Sequence, residues 1–250
     1  PILPKNELND ALNWSASKLL SSPLEEFIYE FSMLGEIEER GTKKQEAIFT
    51  GIQKTDADNI LRVINQTGFQ RLIMFTDIAF TFAPIMEKDD KHSFALIDVG
   101  GRQTGIFHNQ KLCFVRDIMT ASESFTDALM SGLNLSYDDA ERYKRDFGFH
   151  EDALIALNTP LERLSGEIER TFNVYNQRYR ERQIKRISIT GGGSKIPGFI
   201  NKLSGLLTVD IEPLQTPPDI DDNYLPSYNL CLYSEWLVNL LPSEMKEIVR

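Results

Sequence analysis

Cysteine is nearly absent. The 250 residues carry two, Cys113 and Cys231, each inside an apolar segment, and only three histidines, His92, His108 and His150. That count builds neither a disulfide scaffold nor a thiolate zinc site and suits a reducing compartment. The histidines sit in charged or turn contexts without metal-ligand spacing. No apolar run reaches the roughly 18 residues that cross a bilayer. Basic side chains are outnumbered, 27 against 37 acidic, for a formal net charge of −10. Such a balance argues against nucleic acid as a partner, since phosphate neutralisation needs basic patches. The one basic run, Arg178, Arg180, Arg182, Lys185 and Arg186, alternates with polar residues near a helix end and reads as a solvated face. No G-x-S-x-G elbow and no paired-carboxylate arrangement occurs, and no base stands beside a metal pair. No catalysis by this chain alone is expected. An apolar fraction of 41 % indicates a soluble globular protein of one or two domains with a real core.

Glycine is concentrated where it is present. Ile187-Ser188-Ile189 runs into Thr190-Gly191-Gly192-Gly193-Ser194-Lys195-Ile196-Pro197-Gly198, read as a strand, a glycine turn and a helix that Ser194 caps. Three glycines let backbone adopt positive φ and approach a flat or anionic ligand. A second turn lies in Ala95-Leu96-Ile97-Asp98-Val99-Gly100-Gly101-Arg102-Gln103-Thr104, strand to acidic turn to strand. There Asp98 offers a carboxylate for a hydrated magnesium ion and Thr104 a hydroxyl for a phosphate. Both turns end strands, where open α/β sheets place ligands.

Apolar spacing predicts a helix over 5–20, paired strands over Phe27–Leu34 and Glu46–Ile52 with Gly35 and Gly41 between them, and a helix over Asp56–Gln66 capped by Thr55. A short strand at Leu72–Phe75 and a helix at Ala79–Ile85 complete a small α+β module. After the charged loop 87–91 come three strands from Ser93 to Arg116, with His108-Asn109-Gln110-Lys111 as a hairpin turn. Helices follow over Ser122–Leu133, Tyr137–Phe147 and from Asp152 or Pro160 to Arg180. The Ile187 strand, a helix over Phe199–Leu207, a strand over Val209–Glu212, a proline-rich loop 213–226 and a helix over Tyr228–Val238 close the pattern. Glu141 and Lys144 stand one turn apart on one helical face, the spacing of an exposed ion pair.

Asp-x-Gly-x-x-x-Thr followed about 90 residues later by Thr-Gly-Gly-Gly-Ser-x-Ile-x-Gly resembles the second phosphate motif and the adenosine motif of actin-like ATPases. Leu3-Pro4, Glu7-Leu8, Ala11-Leu12-Asn13-Trp14, Leu135-Ser136-Tyr137-Asp138-Asp139-Ala140-Glu141 with Lys144, and Phe114-Val115-Arg116-Asp117 narrow the resemblance to the PilM family of type IV pilus assembly, relatives of FtsA. The resemblance implies an α/β fold of actin-like, ribonuclease-H-like subdomains. Residues 1–90 would be the inserted module, 91–133 and 186–238 the sheet subdomain, 134–185 a helical subdomain, and 239–250 a tail. It implies ATP and magnesium as ligands. Asp98, Gly100, Gly101 and Thr104 would face phosphates and metal, Gly191, Gly192, Gly193 and Ser194 the adenosine, and Glu141 and Lys144 the ribose and base. Two departures stand out. Asn229-Leu230-Cys231-Leu232 replaces a G-L-A-L pattern. The first phosphate loop, D-x-G-x-x-x-K, has no counterpart, so the chain, which opens on Pro1, is expected to be a piece of a longer protein or to have lost that half-site.

The tail Val238-Asn239-Leu240-Leu241-Pro242 is similar to the I-N-L-L-P peptide of PilN, the bitopic membrane partner of PilM. It implies a PilN-like partner or a fused equivalent, a layout comparable to the secretion protein GspL. Asn239, Leu240, Leu241 and Pro242 are expected to dock on a groove of their own chain or of a second copy, giving a homodimer. The implied role is a cytoplasmic scaffold peripheral to, or tethered at, the inner membrane among pilus or type II secretion platform components. An FtsA-type filament-forming ATPase and a sugar-kinase relative are the alternatives.

Overall fold

The computed structural model describes residues 2–39, 41–67, 78–86, 91–100, 102–180, 182–215, 220 and 228–232. The expected strand at Leu72–Phe75, Gly101, most of the proline-rich loop, the second half of the last helix and the tail residues Asn239, Leu240, Leu241 and Pro242 lie outside them. The chain divides into two compact units, Pro1–Asp77 and Ile78–Arg250.

The first unit holds helix α1 (Lys5–Ser17), strands β1 (Phe27–Glu39) and β2 (Thr42–Gln53), and helix α2 (Lys54–Gln66). The strands form an antiparallel hairpin longer than expected from their apolar stretches. The added length is polar: Glu38 pairs with Lys43 across the ladder, and opposite charges facing one another favour such pairing. Gly35, expected between the strands, lies inside β1 at a bulge after Met33, with φ +118°. Phe31 sits directly opposite Phe49, ring centroids 5.5 Å apart, and Tyr29 stacks beside Phe49. The Tyr29 hydroxyl donates to Asn13 Oδ1 at 3.1 Å, tying α1 to the hairpin. Helix α2 starts directly after β2 with Gln53 at its cap position and no side-chain cap bond, so Thr55 lies inside the helix rather than capping it.

The second unit contains α3 (Ile78–Thr81), β3 (His92–Asp98), β4 (Gln103–His108), β5 (Lys111–Asp117), α4 (Ser122–Leu133), α5 (Tyr137–Asp146), α6 (Leu154–Arg178), β6 (Gln183–Thr190), α7 (Phe199–Ser204) and β7 (Asp210–Pro213). The sheet order is β5-β4-β3-β6-β7. Strand β4 is antiparallel to both neighbours, while β6 and β7 run parallel to β3. This is the ribonuclease-H-like arrangement of an actin-like fold. Phe94, Ala95, Leu96 and Ile97 are all buried, as befits a central strand covered on both faces. The β4–β5 turn takes left-handed backbone at Asn109 and Gln110, the twist-compatible geometry of a two-residue hairpin.

Helix α6 runs unbroken through Pro160 and buries Leu157, Leu161, Leu164, Ile168, Phe172 and Tyr175 at helical spacing. Its far end is anchored where the Tyr175 hydroxyl meets Ser93 Oγ at 2.8 Å. Burial pushes the Tyr175 phenol up to about 12, with the Ser93 bond acting in the other direction. Of the two cysteines, Cys113 is buried and Cys231 is exposed.

Candidate functional site

Strands β3 and β6 are parallel neighbours, with Asp98 in register with Thr190. From there the chain turns to β4 on one side and, through α7, to β7 on the other. Open α/β sheets place their ligand crevice at such a divergence, at the carboxyl ends of the strands.

The two glycine turns lock together in this crevice. Val99 N–H donates to the Thr190 carbonyl at 3.0 Å, and Gly100 N–H donates to Asp98 Oδ1 at 2.8 Å. A Cβ on Gly100 would stand 3.2 Å from the Gly192 nitrogen. Gly191 has φ +86°, and a Cβ there would strike the Asp98 carboxylate and the Gly100 nitrogen. A Cβ on Gly193 would strike the Val99 side chain. Packing of chain on chain therefore accounts for Gly100, Gly191 and Gly193. Gly192 is different: it is exposed, and a Cβ on it meets nothing within 4 Å. Protein contacts do not demand its missing side chain, but a ligand lying against the backbone would.

Ser194 does not cap a helix. Gly192–Lys195 forms one 3-10 turn, which the Ser194 hydroxyl closes by donating to the Gly191 carbonyl at 2.7 Å. Helix α7 begins only at Phe199, after a left-handed Gly198. Its base is an aromatic cluster of Phe125, Phe149 and Phe199, with Phe125 and Phe199 fully buried.

Glu141 and Lys144 are not an exposed pair. Lys144 keeps 8 % of its side-chain exposure, Glu141 38 %. Lys144 Nζ donates to Thr126 Oγ1 at 2.6 Å, Glu141 Oε1 at 2.5 Å, Ser122 Oγ at 3.1 Å and the Ser122 carbonyl at 3.3 Å. Thr126 also donates to Glu141. Burial works against the Glu141 carboxylate, but the Lys144 and Thr126 hydrogen bonds and the Lys144 charge outweigh it and hold its pKa below the usual range. Ser122 links this cluster to the crevice: its N–H donates to the Val99 carbonyl at 2.9 Å, and its Cβ lies 3.5 Å from where a Gly193 side chain would begin.

Thr104 is placed differently from Asp98. It pairs with Ile97 while Asp98 pairs with Gln103, so the two side chains leave opposite sheet faces. Thr104 is fully buried, and its hydroxyl has no hydrogen-bond partner among the described residues. Asn229, standing where the resemblance implies a glycine, is likewise fully buried, and neither amide atom has a hydrogen-bond partner among the described residues.

Sequence reasoning missed Ser122, Thr126 and Glu167. Glu167 on α6 accepts from Met119 N–H at 2.7 Å and Thr120 Oγ1 at 2.8 Å, fixing the loop between β5 and α4. That loop borders the Asp98 turn, since Ile118 N–H donates to the Arg102 carbonyl at 2.8 Å. A helix-start pattern at Ser122 was the only available signal. Among the described residues no three His, Cys, Asp or Glu side chains gather as a metal-ligand group, and no helix is long and apolar enough to cross a membrane.

The sequence profile of the family described as type IV pilus assembly protein PilM matches residues 2–216. The cell division protein FtsA of Bacillus subtilis is 33 % identical over 108 residues, 40 % of this chain and 23 % of that protein. FtsA of Enterococcus hirae is 23 % identical over 192 residues, 66 % of this chain and 43 % of that protein. The chain thus spans from under a quarter to under a half of the length of these curated relatives. A solved PilM-PilN type IV pilus biogenesis complex matches with TM-score 0.74 and 20 % identity, over 93 % of this chain and 72 % of that one. MreB 5 of Spiroplasma citri bound to AMPPNP matches with TM-score 0.56 and 13 % identity, over 74 % and 66 %. At such identities the structural likeness is one of fold, and that fold is actin-like. With its two interlocked glycine turns on that fold, and a family profile covering most of its length, the chain belongs to the PilM family of type IV pilus assembly proteins.

Proposed function

We propose that this chain is a scaffold of an inner-membrane assembly platform for type IV pili, or of a related secretion apparatus, that binds nucleotide as a structural ligand. Its second partner would be the cytoplasmic N-terminal peptide of a PilN-like bitopic membrane protein. The observation that carries the nucleotide half is Gly192, open to the crevice while its neighbouring glycines are closed by protein. Bound ATP would bring its triphosphate and magnesium to the Asp98 turn, with Asp98 orienting the hydrated ion and the Gly191–Ser194 backbone flanking the adenosine. Lys144 is already bonded on all sides, so its part is to keep Glu141 ionised and fixed, leaving Glu141 to meet a ribose hydroxyl.

The partner half rests on the solved PilM-PilN complex among the structural neighbours. On this reading residues 1–90 are the inserted module, 91–133 with 186–238 the sheet subdomain, 134–185 the helical subdomain, and 239–250 a docking peptide or linker, with the protein held at the inner membrane through its partner. A filament-forming FtsA-like role is the second reading, favoured by the FtsA relatives. Sedimentation with Mg-ATP separates the two, since only a filament former pellets. The scaffold reading is tested by titrating a labelled I-N-L-L-P-containing peptide into the full-length protein and following anisotropy. Saturable binding supports it; a flat titration with and without Mg-ATP overturns it.

A further inference from the structure

We infer that the end of the second unit's sheet opposite the glycine turns is an electrostatic contact for a membrane surface of anionic lipids. In the function proposed above the protein reaches the membrane through a partner. This contact is its own, and either can fail without the other.

Strand direction decides which residues share that end. Strands β3, β6 and β7 run parallel, and β5 starts beside the end of β4. His92, Lys111, Gln183 and Asp210 therefore all open strands at the end away from Asp98. Helix α6 finishes there as well, since only residues 179–182 separate it from β6. The basic run Arg178, Arg180, Arg182, Lys185 and Arg186 reads in sequence as a solvated face. The fold adds Lys91, just before β3, and Lys111, two strands away from β3 across the sheet. Lys91, Lys111, Arg178, Arg180 and Lys185 are exposed. Two arginines are braced by an aromatic ring: the guanidinium carbons of Arg178 and Arg182 lie 5.9 and 5.1 Å from the centroid of buried Tyr179. Arg186 is occupied differently, paired with Glu212 at 2.9 Å.

Charge is distributed unevenly to match. The stretches of sequence that supply this end, 78–92, 108–111, 178–186 and 199–212, hold nine basic and six acidic residues, a formal +3, which leaves −13 on the rest of a chain of net −10. Strand β3 runs from His92 to Asp98, about 20 Å at the rise of a strand. That is more than twice the Debye length of about 8 Å at physiological salt. The carboxylates of Asp98 and Asp117 at the other end are therefore screened from whatever touches this one. Clusters of about four to eight Lys and Arg side chains are the usual size of an anionic-lipid contact. Here they come from three separate segments on long stems, which suits a fluid field of headgroups better than one fixed pattern of partner side chains. Guanidinium forks and ammonium groups both take phosphate. The same surface repels the acidic remainder, so the second unit meets it in one orientation, with Asp98 and the glycine turns facing away from the lipid.

The test is co-sedimentation of the full-length protein, without its partner, with vesicles of phosphatidylcholine alone and of phosphatidylcholine mixed with phosphatidylglycerol. Two matched variants are compared, with melting temperatures measured alongside. Arg180→Glu/Lys185→Glu reverses two exposed charges at the basic end, and Lys54→Glu/Arg62→Glu reverses two exposed charges in the first unit. The parent is expected to bind the mixed vesicles and not phosphatidylcholine, and to release them as salt is raised. The first variant should bind at least about tenfold more weakly, while the second stays within about twofold of the parent, because net charge alone is not the cause. A parent that ignores the mixed vesicles overturns the inference, as does an equal loss in both variants or binding that salt does not weaken. Binding to polyglutamate but not to the mixed vesicles assigns this end to an acidic protein and overturns it too. The peptide titration described above judges the scaffold role separately.

Discussion

The two units are built on opposite principles. In the second, apolar strands, α6 and the Phe125–Phe149–Phe199 cluster enclose a large set of fully buried side chains. In the first, the described buried apolar residues are two alanines, Ala16 and Ala57, while Trp14, Leu19, Ile28, Met33, Ile60 and Val63 are exposed. One unit is organised by its core. The other is organised by a long hairpin ladder, whose backbone bonds and cross-strand pairs carry the structure without deep burial. The second unit holds its two glycine turns in register on a packed sheet, whereas the first is thinly packed and leaves apolar side chains exposed.

That contrast makes graded predictions. The largest effect is expected at the aromatic cluster. Phe125→Ala removes a fully buried ring and is expected to cost about 3–5 kcal/mol, measured by chemical denaturation. A cost below about 1 kcal/mol would mean that the cluster does not organise the second unit. Next, Lys144→Met deletes the bonds to Ser122, Thr126 and Glu141 and is expected to cost about 1–3 kcal/mol. The Glu141 carboxylate should then titrate higher, visible by NMR, because the groups that lowered it are gone. An unmoved Glu141 titration would contradict the cluster's electrostatics.

A smaller effect is tied to pH. The Tyr175 phenol is raised in the folded state to about 12, so it stabilises the protein below its unfolded value near 10, and that contribution is lost as pH climbs from about 10 to 12. The parent should lose stability faster than Tyr175→Phe across that window. Parallel curves would show the phenol to be unshifted. The smallest effect is expected in the first unit: Trp14→Ser, at a residue 63 % exposed, should change stability by no more than about 0.5 kcal/mol. A loss of 2 kcal/mol or more would show that Trp14 belongs to a core and would erase the contrast between the units.

Much of the second unit was legible in sequence because its signals are local. Asp98 with Gly100, the Gly191–Gly193 run, the His108–Lys111 hairpin and the stripe along α6 each carry their reason within a few residues. The failures are tertiary. Lys144 is buried by Ser122 and Thr126, some twenty residues before it, and spacing alone presents it as a surface pair. Glu167 acts on Met119 and Thr120 from the middle of a long helix, with nothing in its neighbourhood to mark it. Thr104 follows the expected motif, yet strand alternation sends its hydroxyl into the core, away from Asp98. In the first unit β1 and β2 extend through charged residues, so an apolar pattern could not show their length. Ser194 had the right chemistry for a cap, but its hydroxyl found a nearer acceptor in its own turn.

The account turns on one glycine standing open among glycines closed by packing, and Mg-ATP titrated calorimetrically into the full-length protein and its Gly192→Val and Gly193→Val variants examines this directly. Gly193→Val should lose about 1–3 kcal/mol of stability or more by striking Val99. Gly192→Val should fold within about 0.5 kcal/mol of the parent yet bind Mg-ATP at least about tenfold more weakly, since its branched side chain fills the ligand's space. A well-folded Gly192→Val with the parent's affinity would contradict the assignment of this crevice.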